Sequence, residues 1–485
     1  VRQWVAEKAP FLRRSISTQA VDAKRADGGR LHPAPIRGAK AMRRTTHSTR
    51  QPSIRFAALA VVATLGPVSA AHAQSTWALT TLPTSQPATS SMLHSAGRQP
   101  VALVEQGALA GQGLDAIFRD GFGATVMSFS LANPQPNLVE VWAGSFASGD
   151  VDGDGDMDLF MSGQTPALRA KLYLNDGSGN LSELESPFPP ASGGQSILED
   201  LDGDGDLDLF FSGNASLGNF TNTYRNNGFG VFTQIANAAL PTTPRGTAAP
   251  RADIADVDND GDHDIVITSS SFADVYLNDG SGVFSPKGSS FFTPVRGVVR
   301  FIDVDNDSDE DVIISGRDAS NVSSTKLHRN DGLGNFTLDA TSVFAAVRGE
   351  DIDVADTDRD GDLDVLLNGD VRNLLYLNNG SGVFSEVATG LQQTSNGQNE
   401  FADLDNDGDQ DLLIVGNQVG GLPGILNIVY ENQGNNRFTQ AAILGGEYIA
   451  ACAIADFTGD GLKDVVIQGF AEKTNVYWNT STASD

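Results

Sequence analysis

Apolar and polar positions follow one another in a fixed order along most of this chain. A short run such as RADIAD enters a nine-residue acidic cluster, and a β-branched run such as DLFMSG, DIVITSS or DVLLNGD leaves it. An LYLN-type run comes about twenty residues beyond the cluster, and an xVFxx run follows a Gly turn. Short β-branched and aromatic runs bounded by Gly, Asn and Asp read as strands, and Asn-Asp-Gly or Asn-Asn-Gly between them reads as a hairpin. The pattern therefore predicts four short strands per unit.

The acidic clusters recur seven times. They comprise Asp150, Asp152, Asp154, Asp156 and Asp158; Asp200, Asp202, Asp204, Asp206 and Asp208; Asp256, Asp258, Asp260, Asp262 and Asp264; Asp303, Asp305, Asp307, Asp309 and Asp311; Asp356, Asp358, Asp360, Asp362 and Asp364; Asp403, Asp405, Asp407, Asp409 and Asp411; and Asp456, Thr458, Asp460, Leu462 and Asp464. Five carboxylates in nine residues repel one another unless a cation neutralises them. Calcium takes six to eight oxygens from carboxylates, backbone carbonyls and water. Positions one, three, five and nine are expected to supply side-chain oxygens and position seven its backbone carbonyl, a role that Leu462 fills as well as an aspartate. Thr458 still offers a hydroxyl. Six copies carry Gly at position six, where a sharp turn needs φ > 0; the fourth has Ser308 and is expected to be the weakest site.

An EF-hand loop starts in the same way but requires an acid at position twelve and flanking helices. Position twelve here is Met161, Phe211, Ile267, Ile314, Leu367, Ile414 and Ile467, so that reading fails. A single acid-rich loop would pass for a solvated turn; seven in register do not.

Cluster starts are 50, 56, 47, 53, 47 and 53 residues apart. Four-stranded repeats of roughly this period are the signature of propeller blades. The expected fold is all-β, a seven-bladed β-propeller of four-stranded blades. The last repeat ends at TNVYWNTSTASD without a fourth strand, while FRDGFGATVMSFS (118–130) looks like the turn and fourth strand of another repeat. Residues 124–130 are thus expected to complete the last blade and remove an open edge. Residues 101–117 are left as an extra strand pair or a cap.

The DxDxDGxxD loops and their spacing resemble the FG-GAP and VCBS-like repeats of secreted bacterial proteins, which are related to the calcium-bearing blades of integrin α-subunit propellers. The resemblance covers about residues 118–479 and departs at Ser308, Thr458 and Leu462. It implies calcium loops on one face and ligand contacts on the other, carried by connections such as 213–223, 235–250 and 416–428. It implies a binding or adhesion module, with polysaccharide-active relatives as the alternative.

Upstream of the repeats, MRRTTHSTRQPSIR, FAALAVVATLGPVSA and AHAQ form a basic region, an apolar stretch and an A-x-A site. The expected division is an upstream extension at 1–41, a signal peptide at 42–73 cleaved near Ala73, a Ser/Thr/Pro-rich linker at 74–100 and the propeller at 101–485. The mature chain is expected to be extracellular or periplasmic and monomeric, without a transmembrane anchor. Residues 1–73 hold 13 Lys and Arg and 3 Asp and Glu, so 19 basic and 58 acidic residues remain, a net charge of −39. Such acidity excludes nucleic acid as a partner. Since 33 of those acids are aspartates of the clusters, the charge is chiefly metal ligand and says little about a basic partner.

Cys452 is the only cysteine, so no intramolecular disulfide braces the chain, and its apolar AACAIAD context predicts a buried thiol. Calcium is the expected substitute. With Kd near 10⁻⁴ M in about 1 mM calcium, linkage contributes roughly 1.4 kcal/mol per site and about 10 kcal/mol over seven. Up to seven structural Ca²⁺ ions are therefore expected.

No catalytic residue is assigned. His263 occupies the free eighth position of the third loop and His328 stands where other repeats have Tyr. Tyr173, Tyr224, Tyr276, Tyr376, Tyr430 and Tyr477 recur at one repeat position, which predicts core packing; Trp142 and Trp478 are expected in strands beside it. Two functions remain: a binding propeller for a glycan or cell-surface protein, or a polysaccharide lyase with a Tyr, Lys or Arg base in the variable loops. A basic, aromatic cleft opposite the calcium loops would favour the lyase, and a flat or acidic face the binder.

Overall fold

The computed structural model describes residues 127–482, apart from 244–247, 271, 290, 292, 293, 295, 371, 419–426, 435, 446–450 and 470–472. The expected leader, linker and residues 101–117 lie outside the described residues. Seven four-stranded antiparallel sheets form the blades of a β-propeller. In blade 1 the strands Phe146–Gly149, Asp158–Gln164, Leu168–Leu174 and Ser182–Leu184 pair in sequence order. The inner strands of blades 2 to 7 are Ser196–Glu199, Arg251–Ala255, Arg296–Ile302, Asp351–Ala355, Asn399–Ala402 and Ala451–Ala455. Each inner strand touches that of the next blade, and the seventh touches the first.

Closure follows the expectation with a shift in position. Phe129–Leu131 is the outer strand of blade 7, pairing with Lys473–Asn479 in the register Phe129 to Asn479 and Leu131 to Tyr477. The two ends of the propeller thus share one sheet, which removes an open blade edge.

The core lies between blades. Second strands are buried on both faces: Phe160 of blade 1 packs with Leu209, Phe211 and Tyr224 of blade 2, while its neighbours Leu159 and Met161 pack with Val466 and Val476 of blade 7. Seven such clusters fill the seven interfaces. This explains why the strand after each acidic loop is a continuous apolar run rather than an alternating one. The six recurring tyrosines are all buried. Tyr173, Tyr376 and Tyr430 also accept a hydrogen bond at 2.9 to 3.0 Å from the backbone entering their own blade, at Val139, Ala345 and Gln392.

Two local expectations need correction. The VF pair precedes the fourth strand instead of lying in it: Phe232, Phe284 and Phe384 are buried between blades, Val231, Val283 and Val383 are exposed, and pairing starts one residue later. The anchor is the Phe, and the remaining edge is only two or three residues long in blades 1 to 5. Trp142 lies outside any strand and makes an isolated bridge to Gln164, because Ala143 at φ 50° interrupts the extended chain before Phe146. Trp478 is in a strand, half-buried between blades 7 and 1.

Candidate metal centres

Every acidic loop joins the inner strand of a blade to its second strand. The loop folds on its own carboxylates. In all seven copies the amide of position six donates to the position-one carboxylate at 2.8 to 3.0 Å. The amide of position seven donates to position five at 2.8 to 3.1 Å. These turns need left-handed backbone. Position six has φ of 86 to 94° at its glycines and 70° at Ser308. Position four is left-handed too, with φ of 58 to 77°, and is filled by Gly153, Gly203, Asn259, Asn306, Arg359, Asn406 and Gly459. Gly and Asn tolerate that region best. The sequence reading noted position six and missed position four, although the Gly/Asn bias was its visible signal.

Position nine is a buried hub. Asp158, Asp208, Asp264, Asp311, Asp364, Asp411 and Asp464 are at most 2% exposed. One oxygen of each accepts the backbone N–H of an asparagine that ends or directly follows the third strand: Asn175, Asn226, Asn278, Asn330, Asn378, Asn432 and Asn479, at 2.7 to 2.9 Å. Burial pushes these carboxyls up, Asp158, Asp364 and Asp464 to about 6, Asp208, Asp264 and Asp311 to about 7, and Asp411 to about 8. A buried carboxylate short of positive charge prefers its proton.

Positions one, three and nine approach within 4.8 Å of one another in blades 1 and 2, and positions one, three and five do so in blades 3, 4 and 5. Position three tests whether a cation fits. Asp152 Oδ1, Asp202 Oδ1, Asp258 Oδ1, Asp358 Oδ1 and Thr458 Oγ1 are buried oxygens without a hydrogen-bond partner. Leaving such an acceptor unmet costs about 1 to 3 kcal/mol. An oxygen-only donor set around these orphaned atoms suits a hard dication such as Ca²⁺. The acidic clusters are thus consistent with structural Ca²⁺ sites repeated around the ring.

Position-seven side chains turn elsewhere. Asp156, Asp206, Asp262, Asp309 and Asp362 lie against the glycines of the third-to-fourth-strand hairpins, where an added Cβ would sit 2.5 to 2.6 Å from a carboxylate oxygen. The last blade has no such hairpin glycine, and there position seven is Leu462. Cations also reach the loops: Arg225 pairs with Asp202, Arg329 Nη1 lies 2.8 Å from Asp305 Oδ2, and Arg359 pairs with Asp409 of the next blade.

The asparagines after the third strands do more than start a hairpin. Each side-chain amide donates to the position-two carbonyl of the preceding blade's loop: Asn175 to Phe457, Asn226 to Val151, Asn278 to Leu201, Asn330 to Val257, Asn378 to Val304, Asn432 to Thr357 and Asn479 to Leu404, at 2.7 to 2.9 Å. Seven clamps close a ring linking each acidic loop to the next blade. The sequence reading took this Asn as a turn signal. Asn479, which keeps the Asn without a following Gly, was the clue to the second role. Position four adds links: Asn259 donates to Asp309, Asn306 to Asp362 and Asn406 to Gly461 O.

His263 and His328 hold ordinary places. His263 Nδ1 lies 3.0 Å from Glu199 Oε1 of the preceding blade. His328 is buried edge-on to Phe291, and burial together with Lys326 holds its imidazole down to about 4. Cys452 is a buried free thiol, as expected.

Blades that each carry the same acidic loop define a β-propeller with candidate structural calcium sites. The FG-GAP-like repeat profile matches residues 150–211, 200–267, 256–314, 303–367, 356–414 and 403–467, and the chain belongs to that family. No curated protein matches the sequence. Similar solved structures include an Agrocybe aegerita lectin described as recognising non-reducing terminal N-acetylglucosamine, at 18% identity over 77% of this chain and 96% of that one, TM-score 0.46. Another is a mutant of AofleA from Arthrobotrys oligospora, at 11% identity over 63% and 89%, TM-score 0.42. A third is the V. cholerae biofilm matrix protein Bap1, at 12% identity over 77% and 84%, TM-score 0.28. Among the described residues no helix is long and apolar enough to cross a membrane.

Proposed function

We propose that this chain is a secreted, calcium-stabilised propeller that acts as a non-enzymatic binding module for a glycan or a cell-surface protein, exported after cleavage near Ala73. In this reading calcium is structural and holds one end of the ring, with positions one, three, five and nine of each loop as side-chain ligands and position seven as a carbonyl ligand. The ligand meets the other end.

The observation that carries the reading is a cavity of about 570 Å³ on the propeller axis. It is lined chiefly by the inner strands short of their last two residues and by the segments that lead into them, with Asn214 from the end of a second strand, whereas the acidic loops follow the far ends of the inner strands. Its charged lining comprises Arg251, Arg300, Arg348, Glu350, Asp351, Asp353 and Glu400, and Phe146 is its one aromatic among the described residues. Acids outnumber arginines there, and two of the three arginines are already in ion pairs. That favours the binder over a lyase needing a basic, aromatic cleft.

A glycan array probed with the protein in millimolar calcium is expected to give saturable binding that chelator abolishes and calcium restores. Incubation with acidic polysaccharides is expected to yield no unsaturated oligosaccharides. Their appearance would sink the reading in favour of the lyase.

A further inference from the structure

The inner strand is an edge of each blade, and side chains of the preceding blade satisfy several of its free N–H groups. Phe301 N donates to Asp253 Oδ2 at 2.8 Å, Phe401 N to Asp353 Oδ2 at 2.7 Å, Asn399 N to Asp351 Oδ2 at 2.7 Å and Ile454 N to Glu400 Oε1 at 3.3 Å. Edge satisfaction is the ordinary explanation for acids at the axis. It accounts for Asp253 and Asp353, which also share Arg300 at 3.6 and 3.0 Å. Glu350 is paired with Arg348.

Three ionisable groups of the cavity are left over. Arg251, Asp351 and Glu400 make no ion pair among the described residues. Arg251 uses Nη1 on Gly194 O at 2.8 Å and Gln195 Oε1 at 3.4 Å, both neutral acceptors. Asp351 and Glu400 each spend one oxygen on the next blade; Glu400 Oε2 is buried with no N–H or O–H partner, and the weakly donating Cys452 thiol lies beside the carboxyl. Asp351 of blade 5 is attracted from beyond ion-pair distance by Arg300 of blade 4, which is already shared by Asp253 and Asp353, and more weakly by Arg251 of blade 3. Burial and the neighbouring Asp353 push Asp351 up to about 6, against the pull of two arginines, and Glu400 up to about 8.

We infer that the axial cavity binds a small zwitterion, an amino-acid-class solute whose carboxylate meets Arg251 and whose ammonium meets Asp351 and Glu400. A lone cation would leave the Arg251 guanidinium unmet and be repelled by it. A lone anion would face the Asp351 carboxylate, and a neutral sugar would leave the Arg251 and Asp351 charges uncompensated in a partly desolvated space, whereas an ammonium group can draw the proton off Glu400. This inference deepens the binding reading above and rests on it for the choice of face.

The test is calorimetric titration of the calcium-loaded protein with glycine, γ-aminobutyrate and ε-aminocaproate, whose charges stand at increasing separation, against butylamine, butyrate and N-acetylglucosamine. One zwitterion is expected to bind at least about tenfold tighter than either single-charge compound, with Arg251→Gln and Glu400→Gln each weakening it by about tenfold. Thermal midpoints of both variants with calcium and with chelator verify that the ring is intact, and the wild-type panel stands even if a variant misfolds. Equal binding of zwitterions and single-charge compounds, or no zwitterion binding, overturns the inference. Saturable array binding alongside that result would leave the binding-module reading in place.

Discussion

The two ends of the inner strands follow opposite rules. At the far ends, seven acidic loops repeat one geometry, with the same amide-to-carboxylate bonds and the same asparagine clamp in every blade. Towards the near ends, three residues before each loop, the ring reads Ala147, Ile197, Asp253, Arg300, Asp353, Glu400 and Ala453, with charge on blades 3 to 6 and small or apolar side chains on the rest. Framework contacts run between equivalent neighbours, so each blade needs the same residue. A ligand on the axis has no sevenfold symmetry, so the wall around it is free to differ. Repetition marks what holds the ring, and departure from repetition marks what the ring can hold.

The largest effect that would break this comparison is metal removal. Excess chelator is expected to lower the thermal midpoint by more than about 10 °C, since seven weak sites together contribute about 10 kcal/mol; calcium should restore it and magnesium should not. An unchanged midpoint would reduce the loops to solvated acid turns. Next comes the clamp. Asn432→Ala removes bonds to Thr357 O and Gln410 O in a fully buried setting and is expected to cost about 2 to 4 kcal/mol in chemical denaturation. A loss under about 0.5 kcal/mol would show that interblade packing, not the clamp, joins the blades.

A smaller effect concerns pH. His328 is neutral in the fold down to about pH 4 but takes a proton near 6.5 when unfolded. Its stability contribution is therefore complete above about 6.5 and is lost as pH falls towards 4, roughly 2 kcal/mol by about pH 5. His328→Tyr, which restores the residue of the other repeats, should flatten that slope in denaturation curves taken at both pH values. An identical slope in the variant would assign the pH response to other groups. The smallest change sharpens the ranking of the metal sites: Ser308→Gly relieves a left-handed residue and is expected to tighten the fourth site by about 1 kcal/mol in calcium titration. No gain would mean that Ser308 φ is not what limits that site.

Much of this was legible because the information is local. The aspartates at alternate positions, the glycine at position six and the apolar run after each loop all lie within a dozen residues, and their recurrence announces the blade. The spare strand at the start of the propeller was readable for the same reason, as a fourth strand without its blade. Residue-level placement was less accurate. The hairpin phenylalanines lie one residue outside the strand they were assigned to, because burial between blades, and not pairing, selects them. The clamp asparagines were seen and misjudged, because their partner is in the preceding blade, some 75 residues away for Asn226.

Sequence by itself determined the repeat, the four-strand blade, the closure of the ring and the loops that gather oxygen ligands, since each depends on contacts within one repeat or on the count of repeats. Only the tertiary structure decided which charges remain unpaired. Arg251, Asp351 and Glu400 are separated by some 50 to 150 residues of chain, and whether each finds a partner depends on the curvature of the closed ring, which brings all seven inner strands to one axis.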